Sequence, residues 1–215
     1  MKHFITFMTQ QQNLENQYYD NVEQISDLDH DFMTSFPILI PMSNQIESGE
    51  EVKLTIVNTR DPFKYGEKNY NTFMQQLSEL QGRVGFSYRI TNLEAPFEES
   101  LNKQMKLLED IVLTFEQEDI ITADVSYGNK PSPMVLLTAL SYADNFLENT
   151  FVKMLVYGGV AFDKDENGAA EGKGRKKISF INDVTSLFYM NSLVNRMSLT
   201  KPEDPLGTMK KMIEL

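Results

Sequence analysis

Short apolar runs alternate with stretches of helical period along this chain, and that alternation restricts its fold more than any other feature. His3–Met8, Val52–Asn58, Val84–Ile90, Ile120–Val125 and Val152–Tyr157 read as strands, with Lys177–Ile181 as a further one. The runs are nearly continuous in apolar residues, the pattern of strands covered on both faces. Between them, Phe97, Leu101, Met105, Leu108, Val112 and Phe115 recur at spacings of three and four on one helical face. Glu98 and Glu99 fall in that helix's first turn, where the dipole favours acids. Tyr70, Phe73, Met74 and Leu77 mark another helix within Tyr65–Leu80. Pro131 stands where a first helical turn tolerates it, and Met134 to Leu147 follow as an almost wholly apolar helix. Such a helix is buried on more than one side or forms part of a subunit interface. Val184, Leu187, Phe188 and Met190 to Met197 give a final helix. Strands alternating with helices predict an α/β domain, with a mainly parallel sheet of about six strands and helices on both faces.

The domain is expected to span 1–199, with 200–215 as a tail or linker marked by Pro202, Pro205 and Gly207. Two segments break the pattern. Asn13–Met33 is polar and acidic, although Tyr18 and Tyr19 argue against pure disorder. The stretch 158–177 sets glycines among charges and reads as a flexible loop or hairpin insertion. Its basic run Lys173–Lys177 suits either a solvated loop edge or a ligand lid.

Composition removes several function classes. The chain has no cysteine, which excludes disulfides and thiolate-held zinc and makes a reducing cytoplasm the simplest location. With only His3 and His30, a histidine-rich metal site is not expected. No segment reaches the ~20 apolar residues of a membrane span, and the N-terminal run is too short for a signal peptide. A net charge of -11 opposes direct binding of duplex DNA, while leaving room for a small anion in a local pocket. There is no P-loop, no GxSxG elbow and no paired-histidine metal motif. Asp163, Asp165 and Asn167 begin like a calcium loop but lack its downstream glutamate, and read as a turn.

Ligands of open α/β sheets collect beyond the carboxyl ends of the strands. Two polar segments hold that position: Thr9, Gln10, Gln11, Gln12 and Asn13 after the first strand, and Ser126, Tyr127, Gly128, Asn129 and Lys130 after the fourth. Gly128 permits a positive φ or a close backbone approach. The following helix offers free N–H groups and a positive dipole end. Lys130 adds a cation, Ser126 and Asn129 add donors, and Tyr127 offers a face for stacking a base. The glutamines pair well with base edges and ribose hydroxyls. The same residues would serve a plain strand-to-helix turn capped by Ser and Asn, with the glutamines as a solvated loop. Asp124 reads as an acid catalyst or, more simply, as the residue that orders this turn.

The stretches ADVSYGNKPSPMVLLTALSYA (Ala123–Ala143), VKMLVYGG (Val152–Gly159) and ISFINDVTSLFYMNSLVNRM (Ile178–Met197) resemble CRISPR-associated Rossmann-fold (CARF) domains. The specific motifs are Asp124–Pro131, Tyr157–Gly158 and Asp183–Thr185. The resemblance implies a Rossmann-like fold and a two-fold homodimer that binds a cyclic oligoadenylate across its axis, with no cofactor. Cyclic tetra-adenylate shares the two-fold symmetry of such a dimer. It carries the two loops above over as the ligand-binding residues. Members of the family commonly carry an effector domain, and nothing large follows Met197 here. The expectation is therefore a sensor that acts through a separate effector protein, a sensor domain of a longer chain, or a ring nuclease. In the last case the ligand's own 2′-OH would attack without metal, with Lys130 stabilising the phosphorane and Ser126 and Gln11 holding ribose or phosphate. An interaction protein without a nucleotide ligand is the alternative from another class.

Overall fold

In the computed structural model, which describes residues 1–59, 65–95, 100–162 and 177–213, the predicted alternation closes into a single sheet. In chain order the elements are β1 (Lys2–Phe7), β2 (Tyr19–Asn21), α1 (Leu39–Gln45), β3 (Glu51–Thr59), α2 (Tyr65–Val84), β4 (Ser87–Ala95), α3 (Leu101–Val112), β5 (Ile120–Asp124), α4 (Ser132–Phe146), β6 (Phe151–Phe162), β7 (Lys177–Asp183), α5 (Thr185–Thr200) and α6 (Pro205–Ile213). Across the sheet the order is β2-β7-β6-β5-β1-β3-β4. Neighbours from β6 to β4 are all parallel, β7 is antiparallel to β6, and β2 is parallel to β7. The fold is Rossmann-like α/β.

The apolar strands are explained by two cores. Ile5 and Phe7 of β1 point to the face covered by α3, α4 and α5, where they meet Ile111, Leu136 and Phe188. Phe4 and Met8 point to the other face, against Met42 of α1 and Phe73 and Leu77 of α2. α4 buries one stripe, Leu136, Ala139, Leu140 and Ala143, and leaves Met134 71% and Phe146 73% exposed. Within a single chain it is therefore buried on one side.

Four features differ from the sequence expectation. The sheet has seven strands, because Tyr19–Asn21 pairs with β7 and Tyr19 packs among Met154, Val156 and Ile181. Three residues carry no readable period. α1 forms beside Pro37 and Pro41, where the sequence pattern predicts no helix, and Pro41 lies in its first turn, where an N–H would have no helical partner. The strand read at Val84–Ile90 starts later, since α2 continues to Val84 and Gly85, at φ +85°, ends it. The segment read as a linker after Thr200 contains helix α6.

β6 and β7 form the arms of the hairpin expected at 158–177, in register from Val156↔Asp183 to Phe162↔Lys177. Its tip, 163–176, with Asp163, Asp165, Asn167 and most of the basic run, lies outside the described residues, as do Glu98 and Glu99. Lys177 begins β7 and lies 3.2 Å from Glu15. Among the described residues no helix is long and apolar enough to cross a membrane.

Candidate functional site

β1 pairs with β3 on one side and β5 on the other, so the chain reverses its direction of winding at β1. That reversal opens a crevice at the carboxyl edge. The crevice is a cleft of about 310 Å³, lined by Met8 to Gln11 after β1 and Ser126 to Asn129 after β5. The two loops singled out in sequence therefore face each other, although they are more than a hundred residues apart. Gln12, Asn13 and Lys130 are exposed beside the cleft rather than lining it.

The loop after β5 is built on Asp124. This side chain is fully buried, and its Oδ1 accepts the Ser126 amide at 2.8 Å while Oδ2 takes the Thr6 hydroxyl at 3.4 Å. Burial pushes its carboxyl up to about 6 against the opposing effect of those hydrogen bonds. Its geometry is that of a residue ordering the turn. Gly128 follows at φ +113°, and a Cβ there would stand 2.8 Å from Ser132 Cβ and 3.4 Å from Phe7 Cδ1. Only glycine fits this position without strain. Asn129 closes the turn onto α4, with its carbonyl accepting the Ser132 amide at 3.0 Å and its side-chain oxygen accepting the Ser132 hydroxyl. The Ser126 hydroxyl accepts the Gly158 amide at 2.7 Å, tying the loop to β6. Pro37 lies against Gly158 so closely that a Cβ would come within 2.3 Å of its Cγ.

Tyr127, expected from sequence to offer a stacking face, lines the cleft and also anchors its loop. Its hydroxyl donates to the Ser35 carbonyl at 2.7 Å, and its ring packs against the cores on both faces of the sheet. Burial raises its pKa well above the ordinary tyrosine value. It is a post that fixes the loop's height. Lys130, by contrast, is exposed and makes no ion pair among the described residues.

The loop after β1 is held from beneath. Thr9 is buried and its hydroxyl accepts the Gln11 amide at 3.2 Å. Asn69 of α2, fully buried, donates to the carbonyls of Thr9 at 2.7 Å and Gln11 at 3.0 Å. Sequence reasoning missed Asn69. Its signal was a lone amide continuing the stripe Phe73, Leu77 and Leu80 on the buried face of α2.

A second polar cluster lies at the opposite edge. His3 Nε2 is 2.8 Å from Thr55 Oγ1, and its Nδ1 is 3.3 Å from Asp119 Oδ2, an arrangement like a hydroxyl–imidazole–carboxylate relay. All three side chains are essentially inaccessible, so no substrate reaches the hydroxyl. Burial lowers the His3 pKa and favours the neutral ring. Neither a protein-family model nor a curated protein matches the chain.

Proposed function

We propose that this chain is a CARF-type sensor of type III CRISPR antiviral defence, a cytoplasmic homodimer that binds a cyclic oligoadenylate, cyclic tetra-adenylate foremost, across its two-fold axis. The observation that carries the reading is the meeting of two polar loops at the winding reversal, with Ser126 to Asn129 on one wall, Thr9 to Gln11 on the other, and Lys130, which has no counterion among the described residues, exposed beside them. Backbone N–H groups, a helix N-terminus and a lysine suit phosphate, and the amides suit ribose and base. One cleft of about 310 Å³ is at the small end for a single small ligand, so a ring of four nucleotides must span two. A second copy supplies the other half. An apolar groove of about 390 Å³ between α4 and α5, lined by Leu137, Leu187 and Phe188, adjoins the cleft through Val125 and Pro133. Copies joined there by a two-fold axis would bring their 126–130 loops together, with Met134 beside the contact.

A sensor is favoured over a ring nuclease because the described residues lining the cleft include no general base. His3 is buried at the far edge, His30 stacks on Tyr18, and the Ser126 hydroxyl already serves Gly158. The signal would then pass to an effector in trans or on the same polypeptide. The test is incubation of excess protein with labelled cyclic tetra-adenylate without metal. Tight binding with the ring intact is expected. Linear product would instead assign Lys130, Ser126 and Gln11 to cleavage, and absence of binding to any cyclic oligoadenylate would overturn the reading.

A further inference from the structure

The loop after β1 owes its shape to one side chain. Asn69 lies in the second turn of α2, on the buried stripe that continues with Phe73 and Leu77. Those two pack in one core with Phe4 and Met8, so close packing sets the height of Asn69 against the end of β1. The Asn69 side chain is fully buried, and its Nδ2 donates to the Thr9 carbonyl at 2.7 Å and to the Gln11 carbonyl at 3.0 Å. A primary amide carries two hydrogens, and both are committed here to carbonyls two residues apart.

That grip dictates where the loop's own donors point. A trans peptide group is planar, with its C=O and N–H directed oppositely. Among the described residues no peptide bond is cis. The Thr9 and Gln11 carbonyls turn in towards Asn69, so the Gln10 and Gln12 amides, which share those peptide planes, turn away from it. The peptide between them faces the other way, with the Gln11 amide donating to the Thr9 hydroxyl at 3.2 Å. Asn69 lies inside the fold and does not line the cleft, whereas Gln10 lines it and Gln12 is exposed beside it. The outward amides thus lie on the side of the loop that a ligand meets.

We propose that Asn69 is the positioning residue of the cleft: by drawing two carbonyls inward it presents the Gln10 and Gln12 amides as donors to a phosphate oxygen of the bound ring. The inference rests on the cyclic-oligoadenylate reading and adds to it a residue that never touches the ligand but sets which atoms do. The chemistry requires a carboxamide. An ionised aspartate would set a carboxylate against two carbonyl oxygens. Alanine would release both carbonyls, and a peptide plane that then turned over would replace an N–H at the cleft with a C=O, which repels phosphate.

The test compares Asn69→Ala with wild type, with melting curves to show that the variant is folded. Both proteins are titrated with cyclic tetra-adenylate and with its methylphosphonate analogue, a ring of the same bases whose linkages carry no charge. The variant is expected to bind the charged ring about tenfold or more weakly, the loss of a charge-assisted contact, and to keep less of the wild-type preference for it over the neutral ring. A side chain with a purely structural role would weaken both rings alike. That result, or wild-type affinity for the charged ring, would overturn the inference while leaving the sensor reading in place. Wild-type protein that binds neither ring would overturn both. Should Asn69→Ala not fold, the amide resonances of Gln10 and Gln12 in wild-type protein take its place: a downfield move of their protons as cyclic tetra-adenylate is added supports the inference, and protons that do not move overturn it.

Discussion

At the amino edge of the sheet, Asp119 Oδ2 lies 2.7 Å from Lys53 Nζ and 3.3 Å from His3 Nδ1, and accepts the Glu116 amide at 2.9 Å. At the carboxyl edge, Lys130 is exposed without a counterion, and Gln104 is buried without a side-chain hydrogen bond, among the described residues. The first cluster is charged and largely spent on its own members. Even the Asp119 Oδ1 atom, which has no hydrogen bond, has the chain's α-amine at 3.8 Å. The second is mostly uncharged, and several of its buried atoms have no hydrogen-bond partner among the described residues. The contrast separates polar groups that answer one another from polar groups that no described residue answers. A relay-like geometry at the amino edge is thus no guide to activity, because its members are inaccessible.

The strongest way to break this contrast is Asp119→Ala. Removing the carboxylate leaves Lys53 buried with only the exposed Glu116, at 3.3 Å, as counter-charge. We expect a loss of about 3–5 kcal/mol in urea unfolding, as for a buried pair that loses one member. A loss below ~1 kcal/mol would show that the amino cluster is not structural.

The pH dependence sharpens the same division. Hydrogen bonds from His3 and Lys53 overcome burial and hold Asp119 down to about 2, so its contribution is complete above the unfolded carboxyl value and is lost as pH falls through about 2. Asp124 works with opposite sign. Its pKa, raised to about 6, means the native state binds the extra proton, so stability falls as pH rises from the unfolded value towards 6. Taken by themselves the two carboxylates favour the interval between their values, Asp124 adding a decline of at most about 3 kcal/mol from about pH 4 towards 6, while the buried neutral His3 contributes the opposite slope as pH rises towards its unfolded value. Asp124→Asn keeps an acceptor for the Ser126 amide and should flatten that decline. An unchanged slope between about pH 4 and 6 would remove Asp124 as its source.

Smaller effects belong to the loop. Gly128→Ala forces a Cβ into Ser132 at a φ of +113° and should cost about 1–3 kcal/mol while weakening ring binding, checked by thermal melting and titration. Lys130→Ala should leave the melting temperature and the dimer unchanged and weaken cyclic tetra-adenylate binding by about tenfold or more, the loss of one charge-assisted contact. A melting shift without an affinity change would move Lys130 to the structural side of the comparison.

Much of this architecture was legible in sequence because β1, β3 and β5, and β6 over Met154–Val156, are buried on both faces and therefore read as continuous apolar runs. β2 was not, since three residues are placed by pairing with β7 rather than by their own pattern. β4 was displaced because Val84 and Phe86 are apolar at the end of α2 and in the turn after it, where composition alone does not distinguish helix end from strand start. The cleft loops were legible from the rule that strand ends bind ligands. What Tyr127 does was not, because its partner Ser35 is 92 residues distant. Thr59 and Gln104 gave no signal either, and Asn69 only a lone amide on the buried stripe of α2. A buried amide becomes informative only when the surroundings show that nothing answers it.

The sensor reading stands or falls on two copies sharing one ring. Isothermal titration of the protein with cyclic tetra-adenylate, at concentrations where sedimentation shows a dimer, reads this ratio without intermediaries. Saturation is expected at one ring for every two chains, with Lys130→Ala weakening the affinity and not the ratio. Saturation at one ring per chain, or a dimer that takes up no ring, would refute the shared site.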